Sequence, residues 1–231
     1  MRAISLKTGF LAFTLVAIAS TTGGFLTACS AVSSNQSQAQ NTTERAPGGM
    51  EHMGHGSGMS HDMAMDLGPA DANYNLRFID AMTVHHKGAV SMARVAQQKS
   101  QRPEIKKLTD KIIKTQNKEI SQMQKWRQAW YPKAGDIPMA YNAQMGHMME
   151  MSSDQMKGMM MSGDLGAADA EFDLRFVNAM IAHHEGALTM AQDALSKSKR
   201  PEVKQLGQEI IKAQKAEINQ MKQWRQVWYK K

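Results

Sequence analysis

Residues 75–131 and 173–229 align without a gap, and 32 of the 57 positions are identical. An internal duplication limits the fold more than any other feature, and two copies are too few for a solenoid. Each copy carries two helical patterns. In the first copy they run from about Ala72 to Lys99 and from Pro103 to Trp130, separated by Ser100, Gln101 and Arg102. Pro103 and Pro201 suit the first turn of a helix, where a missing N–H costs nothing. A short loop between long helices makes an antiparallel hairpin. Two such hairpins bury four apolar stripes most simply as an all-α four-helix bundle. At ~1.5 Å per residue each helix is expected to be roughly 40 Å long.

The stripes carry unusual residues. At 100° per residue, Phe78, Met82, His85, Ala89 and Met92 fall on one face of the first helix, with His86 at its border. On the second helix the apolar face of Ile105, Leu108, Ile112, Met123, Trp126 and Trp130 also contains Gln116 and Glu119. A buried carboxylate is costly unless it is paired or ligated. His85 or His86 on the facing helix is the expected partner. The second copy repeats the set as Met180, His183, His184, Met190, Gln214, Glu217 and Met221.

Taken singly, each of these residues has an ordinary explanation. A methionine on a helix stripe fills core, a border histidine is solvated, and a glutamate pairs with a lysine. Common descent would also preserve any sequence for a time. Nearly half of the positions have nevertheless drifted, while every His and Met of the M-x-x-H-H-x(5)-M pattern stands in both copies. The pattern is therefore read as a soft-metal site in each half. Its expected ligands are Met82, His85, His86, Met92 and Met123, then Met180, His183, His184, Met190 and Met221. Gln116, Glu119, Gln214 and Glu217 are expected to orient them. Trp126 and Trp224, three residues past Met123 and Met221, are expected to cap the core.

Thioether sulfur is soft and selects Cu(I), and by the same logic Ag(I); imidazole suits copper in both oxidation states. The carboxylate set of a di-iron bundle is missing from the sequence, and no HExxH or cysteine pair argues for zinc. Two tracts add soft ligands outside the bundle. The first contributes Met50, His52, Met53, His55, Met59, His61, Met63 and Met65. The second contributes Met145, His147, Met148, Met149 and Met151. A spacer or an oxidant sink would need methionine but no imidazole, so interleaved histidine favours metal capture.

The N-terminus reads as a targeting segment. Arg2 and Lys7 precede a short apolar run, and "LTACS" places Cys29, the only cysteine, where a lipoprotein signal would be cut and lipidated. Residues 1–28 are thus a signal peptide. Residues 29–70 are a linker and a Met/His-rich tract expected to be disordered, and 71–231 are the bundle, with a Met-rich connection at 132–170. The membrane is reached only through a lipid on Cys29. The net charge of +7 comes from Lys and Arg scattered among acids on solvated helix faces, so no nucleic-acid site is read from it.

At these residues the chain resembles a family of exported bacterial helical proteins, ferritin-like in fold and long catalogued as a domain of unknown function. The shared run is F-x(3)-M-x-x-H-H-x-x-A-x-x-M followed by Q-x-x-E-I-x-x-M. Here that is Phe78, Met82, His85, His86, Ala89 and Met92, then Gln116, Glu119, Ile120 and Met123. The second copy supplies Phe176, Met180, His183, His184, Ala187 and Met190, then Gln214, Glu217, Ile218 and Met221. The resemblance spans about residues 72–231. It implies a four-helix bundle that binds copper and confers resistance by sequestration.

The resulting expectation is a periplasmic or cell-envelope binding protein, not an enzyme, that buffers Cu(I) and also Cu(II), or passes it to an efflux component. The competing readings are a cuprous or ferrous oxidase, and a structural lipoprotein whose methionines scavenge oxidants.

Overall fold

Pro103 and Pro201 each stand at the start of a helix, as their missing N–H groups favour. Ahead of each, a tight loop ends the preceding helix. The hydroxyls of Ser100 and Ser198 accept the N–H of the residue two further on, Arg102 and Arg200, at 3.1 Å. The computed structural model describes residues 65–161 and 163–231. The expected signal peptide, Cys29 with its lipid, the linker, and tract residues Met50, His52, Met53, His55, Met59, His61 and Met63 lie outside the described residues.

Four long helices result: α1 (Tyr74–Lys99), α2 (Pro103–Trp130), α4 (Phe172–Lys197) and α5 (Pro201–Tyr229). Helix α1 packs along α2, α4 packs along α5, and α1 meets α4 between the hairpins. The fold is the expected all-α, ferritin-like four-helix bundle. Helices α1 and α4 run antiparallel, since Tyr74 Oη donates to Asp193 at 2.8 Å and Ser198 Oγ donates to Asn75 at 2.6 Å. Among the described residues no helix is long and apolar enough to cross a membrane.

The two copies are related by a pseudo-two-fold, and the repeat reaches further upstream than residue 75. Arg77 Nε donates to the Leu67 carbonyl and Arg175 Nε to the Leu165 carbonyl, both at 2.7 Å. The sequences match there, "LGPADANYNLRF" against "LGAADAEFDLRF". Each arginine thus clamps the chain entering its own first helix. The clasps at the bundle ends are paired as well. The Arg200 guanidinium lies 3.8 Å from the Trp130 ring centroid, and Arg102 lies 4.2 Å from that of Trp228.

The connection is more ordered than its composition predicts. It forms an antiparallel strand pair, β1 (Met139–Asn142) with β2 (His147–Glu150), followed by a short helix α3 (Ser153–Met160). Asp80 of α1, 2% exposed, anchors this segment. It accepts from Arg127 Nε at 2.6 Å and from the Met139 N–H at 2.8 Å.

Candidate metal centre

Two apolar clusters fill the bundle, and the paired histidines stand between them. One cluster includes Val84 of α1 and Ala187 of α4; the other includes Ala89 of α1 and Ile181 of α4. Since α1 and α4 are antiparallel, His85, His86, His183 and His184 fall at one level. All four are 0–1% exposed. His86 is therefore fully buried rather than at the border of a stripe. A helical wheel assumes one partner helix, whereas α1 has both α2 and α4 beside it.

The expected carboxylate partnership is present, and it falls to the second histidine of each pair. His86 Nε2 lies 2.8 Å from Glu119 Oε2, and His184 Nε2 lies 2.9 Å from Glu217 Oε2. A carboxylate accepts, so in each pair Nε2 carries the proton and Nδ1 is left as the lone-pair nitrogen. Burial alone would raise the Glu217 carboxyl. The hydrogen bond from His184, with Lys111 Nζ at 3.2 Å, holds it below the usual carboxylate range instead.

The first histidines meet each other. The rings of His85 and His183 have centroids 3.7 Å apart, tilted by 39°. The sequence places a site in each half; in the structure the imidazoles of both halves form one layer at the α1–α4 interface. Burial, followed by the neighbouring imidazoles, keeps both rings well below their ordinary pKa. Neither ring nitrogen of His85 or His183 has a hydrogen-bond partner, nor has Nδ1 of His86 or His184, nor Oε1 of Gln116 or Gln214. Those eight atoms are most of the ten unpartnered buried side-chain nitrogens and oxygens among the described residues.

The thioethers flank this layer in two sets. Met82 and Met123, each 0% exposed, share one cluster with Met190. Met180 and Met221 share the other with Met92. Met82 precedes His86 by four residues, and Met123 follows Glu119 by four, so on antiparallel helices both lie about one turn from the His86–Glu119 pair. Each set takes one methionine from the opposite hairpin, Met190 or Met92, which helical periodicity alone could not assign.

Met156, Met159 and Met160 of α3 belong to a Met-rich run that the sequence places outside the packed domain, yet they pack in or against the first cluster. The tract residues stand apart from the layer. Met145 and Met149 are 61% and 37% exposed and His147 is exposed, whereas Met151 is buried in the first cluster and Met65 packs against it. Met148 lies with Met139 and Trp130 along a surface groove. Trp126 stacks on Trp130 at 5.1 Å and Trp224 on Trp228 at 5.0 Å, each pair partly buried over a core cluster, as capping residues would be. Among the described residues no group of three or more His, Cys, Asp or Glu side chains is arranged to hold a metal ion.

Residues 75–225 match the family described as "Domain of unknown function (DUF305)". The chain belongs to the DUF305 family. This DUF305 chain is similar in fold to CopM, solved in several metal-bound forms. It is 40% identical to CopM in the Cu(II)-bound form, with a TM-score of 0.53, over 67% of this chain and 97% of that one. Against the Cu(I)-bound form the identity is 36% and the TM-score 0.51, again over 67% and 97%. The Ag-bound form prepared by soaking gives 37% and 0.53 with the same coverage. A further relative is the uncharacterized protein L153 of Acanthamoeba polyphaga mimivirus, 43% identical over 49 residues, or 21% of this chain. The match spans about a third of that relative's length, 32%.

Proposed function

We propose that this chain is an extracytoplasmic copper-binding protein that sequesters or buffers copper, with Cu(I) preferred, Cu(II) accepted and Ag(I) bound as a mimic. The ion is cargo. The reading is carried by the eight unpartnered polar atoms of the His–Gln layer. A buried donor or acceptor without a partner costs about 1–3 kcal/mol, and a core built for packing alone would replace such groups with apolar ones. A soft cation supplies a partner to the lone-pair nitrogens among them, one on each imidazole. CopM, the similar protein solved with Cu(I), Cu(II) and Ag, supports the choice of metal.

The donor chemistry fits that choice. His86 and His184 are oriented by Glu119 and Glu217, which hold the tautomer and direct Nδ1 away from the carboxylate, the arrangement common for metal-ligating histidines. His85 and His183 bring two more imidazoles to the middle. The methionines of the two flanking clusters add thioether donors to the imidazoles, and thioethers select Cu(I) over harder ions. Met82, Met92 and Met123 with Met180, Met190 and Met221 are the assigned thioether ligands. Glu119 and Glu217 offset the charge of the incoming ion.

The full burial of the histidines suits holding an ion rather than turning over a substrate. Exposed Met145, His147 and Met149, with the N-terminal Met/His tract, are assigned to weaker capture. Export rests on the N-terminal sequence, with Cys29 as the lipid attachment point, and an efflux component is the assigned recipient of the copper. Anaerobic Cu(I) competition titration of the full chain beside His85→Leu/His183→Leu tests the reading. Loss of the tightest binding class is expected, and unchanged stoichiometry and affinity would refute a bundle site.

A further inference from the structure

Helix α3 stands outside the four-helix bundle, yet it lies on α1 at the level of the imidazole layer. The contact is at Gly88, two residues past His86. A Cβ at this position would fall 2.2 Å from the Met160 carbonyl oxygen and 2.6 Å from its Cα. Those are backbone atoms, which cannot swing aside as the end of a side chain can. Only glycine lets α3 come this close. One residue earlier, the Met159 carbonyl approaches the His183 ring, although neither ring nitrogen has a hydrogen bond of ordinary geometry.

The Met159 side chain is 5% exposed and packs in the cluster that contains Met82, Met123 and Met190. The start of α3 is fixed by reciprocal bonds, Ser152 Oγ accepting from the Gln155 N–H and Gln155 Oε1 accepting from the Ser152 N–H. Such a capping box holds a helix whose eight residues could not be stable alone. A buried methionine ordinarily fills space. Met159 differs from a filler in two respects: its carbonyl approaches an imidazole whose nitrogens have no hydrogen bond of ordinary geometry, and α1 has a glycine where a Cβ would meet the backbone of the next residue, Met160.

We propose that α3 completes the metal site, with Met159 a thioether ligand to a soft monovalent ion held at the His85–His183 pair and Gly88 the residue that admits it. This assignment rests on the copper-binding reading above. It makes the Met-rich connection part of the centre rather than a linker between hairpins, and it gives the central pair a sulfur donor from outside the four long helices.

Ag(I) is the probe, because it is soft, monovalent and free of redox chemistry under assay. The full chain, Met159→Leu, Gly88→Ala, Met156→Leu and His85→Leu/His183→Leu are titrated in competition with a chelator. Met159→Leu retains the volume and removes the sulfur. It is expected to weaken the tightest Ag(I) class by about tenfold or more, with the thermal midpoint of the metal-free protein unchanged. X-ray absorption of the loaded variant is expected to lose one sulfur scatterer. Gly88→Ala is expected to give a comparable loss by displacing α3, and Met156→Leu no loss. Wild-type affinity in Met159→Leu, alongside loss in the histidine variant, would overturn the inference and leave the copper reading standing. An equal loss in Met156→Leu would overturn the assignment to Met159. Wild-type affinity in the histidine variant would remove both.

Discussion

His85 and His183 face each other across the pseudo-two-fold with ring centroids 3.7 Å apart, and none of their four nitrogens is hydrogen-bonded. A protein maintains such a contact at the expense of stability. In the metal-free state, His85→Leu removes two unpartnered buried nitrogens and keeps most of the volume. Removal of such groups is expected to stabilise the fold by about 1–3 kcal/mol. Chemical denaturation of metal-free protein checks this. The same variant is expected to lose metal binding, and that combination of a more stable fold with a lost ligand marks a site maintained for function.

Acid is expected to act on the same pair. Both imidazoles are held neutral in the fold by burial and by their neighbours, whereas in the unfolded chain they protonate near the ordinary value of 6.5. Below that pH the unfolded state binds more protons than the native state, so stability falls as pH falls. The slope is at most ~1.4 kcal/mol per pH unit for each imidazole. Above about pH 6.5 neither state binds a proton at these sites, and this contribution is constant. Denaturant midpoints between pH 8 and pH 5 measure the effect, and His85→Leu/His183→Leu is expected to flatten the acid limb.

The pseudo-two-fold breaks at Asp80, and the break predicts unequal mutational costs. Asp80 is buried, paired with Arg127 and bonded to the Met139 N–H. Its counterpart Asn178 is exposed and accepts only from Arg225 at 3.2 Å. Asp80→Ala leaves a largely buried arginine without its carboxylate and releases β1 from α1, for an expected loss of about 3 kcal/mol. Asn178→Ala is expected to change stability by less than about 0.5 kcal/mol. Parallel unfolding curves compare the two.

Charge is unequal across the layer as well. Lys111 bonds Glu217 at 3.2 Å, while the position that corresponds to Lys111 in the second copy is Glu209. A cation bound beside Glu217 therefore competes with an ammonium. Lys111→Ala is expected to raise Cu(I) affinity by about two- to fivefold, with a gain that shrinks as salt is added. Competition titrations at low and high ionic strength read this out.

Much of this architecture is legible in the sequence. Pro103 and Pro201 mark helix starts that the structure reproduces, and the lone carboxylate on an apolar stripe points to a histidine partner that His86 and His184 supply. Periodicity gives the faces of one helix and not the choice among its neighbours. It therefore cannot tell that His85 meets His183, or that Met190 joins Met82 and Met123. His86 is buried because α1 contacts α2, α4 and α3, a wider arc than one partner would cover. In the connection the methionines obscure a readable turn. Asn142 Oδ1 accepts from the N–H groups of Gln144 and Met145, and Gly146 takes a positive φ of 69°, the chemistry of a hairpin. The upstream extent of the repeat from Leu67 was also present in the letters, in the match of Leu67–Phe78 to Leu165–Phe176.

The most direct measurement is an anomalous difference map from crystals of the full chain loaded anaerobically with Cu(I) and recorded at the copper edge. The account predicts a peak within bonding distance of His85 and His183, with methionine sulfur beside it. Peaks confined to the exposed Met145, His147 and Met149 or to the N-terminal tract, with the four imidazoles unchanged, would contradict it.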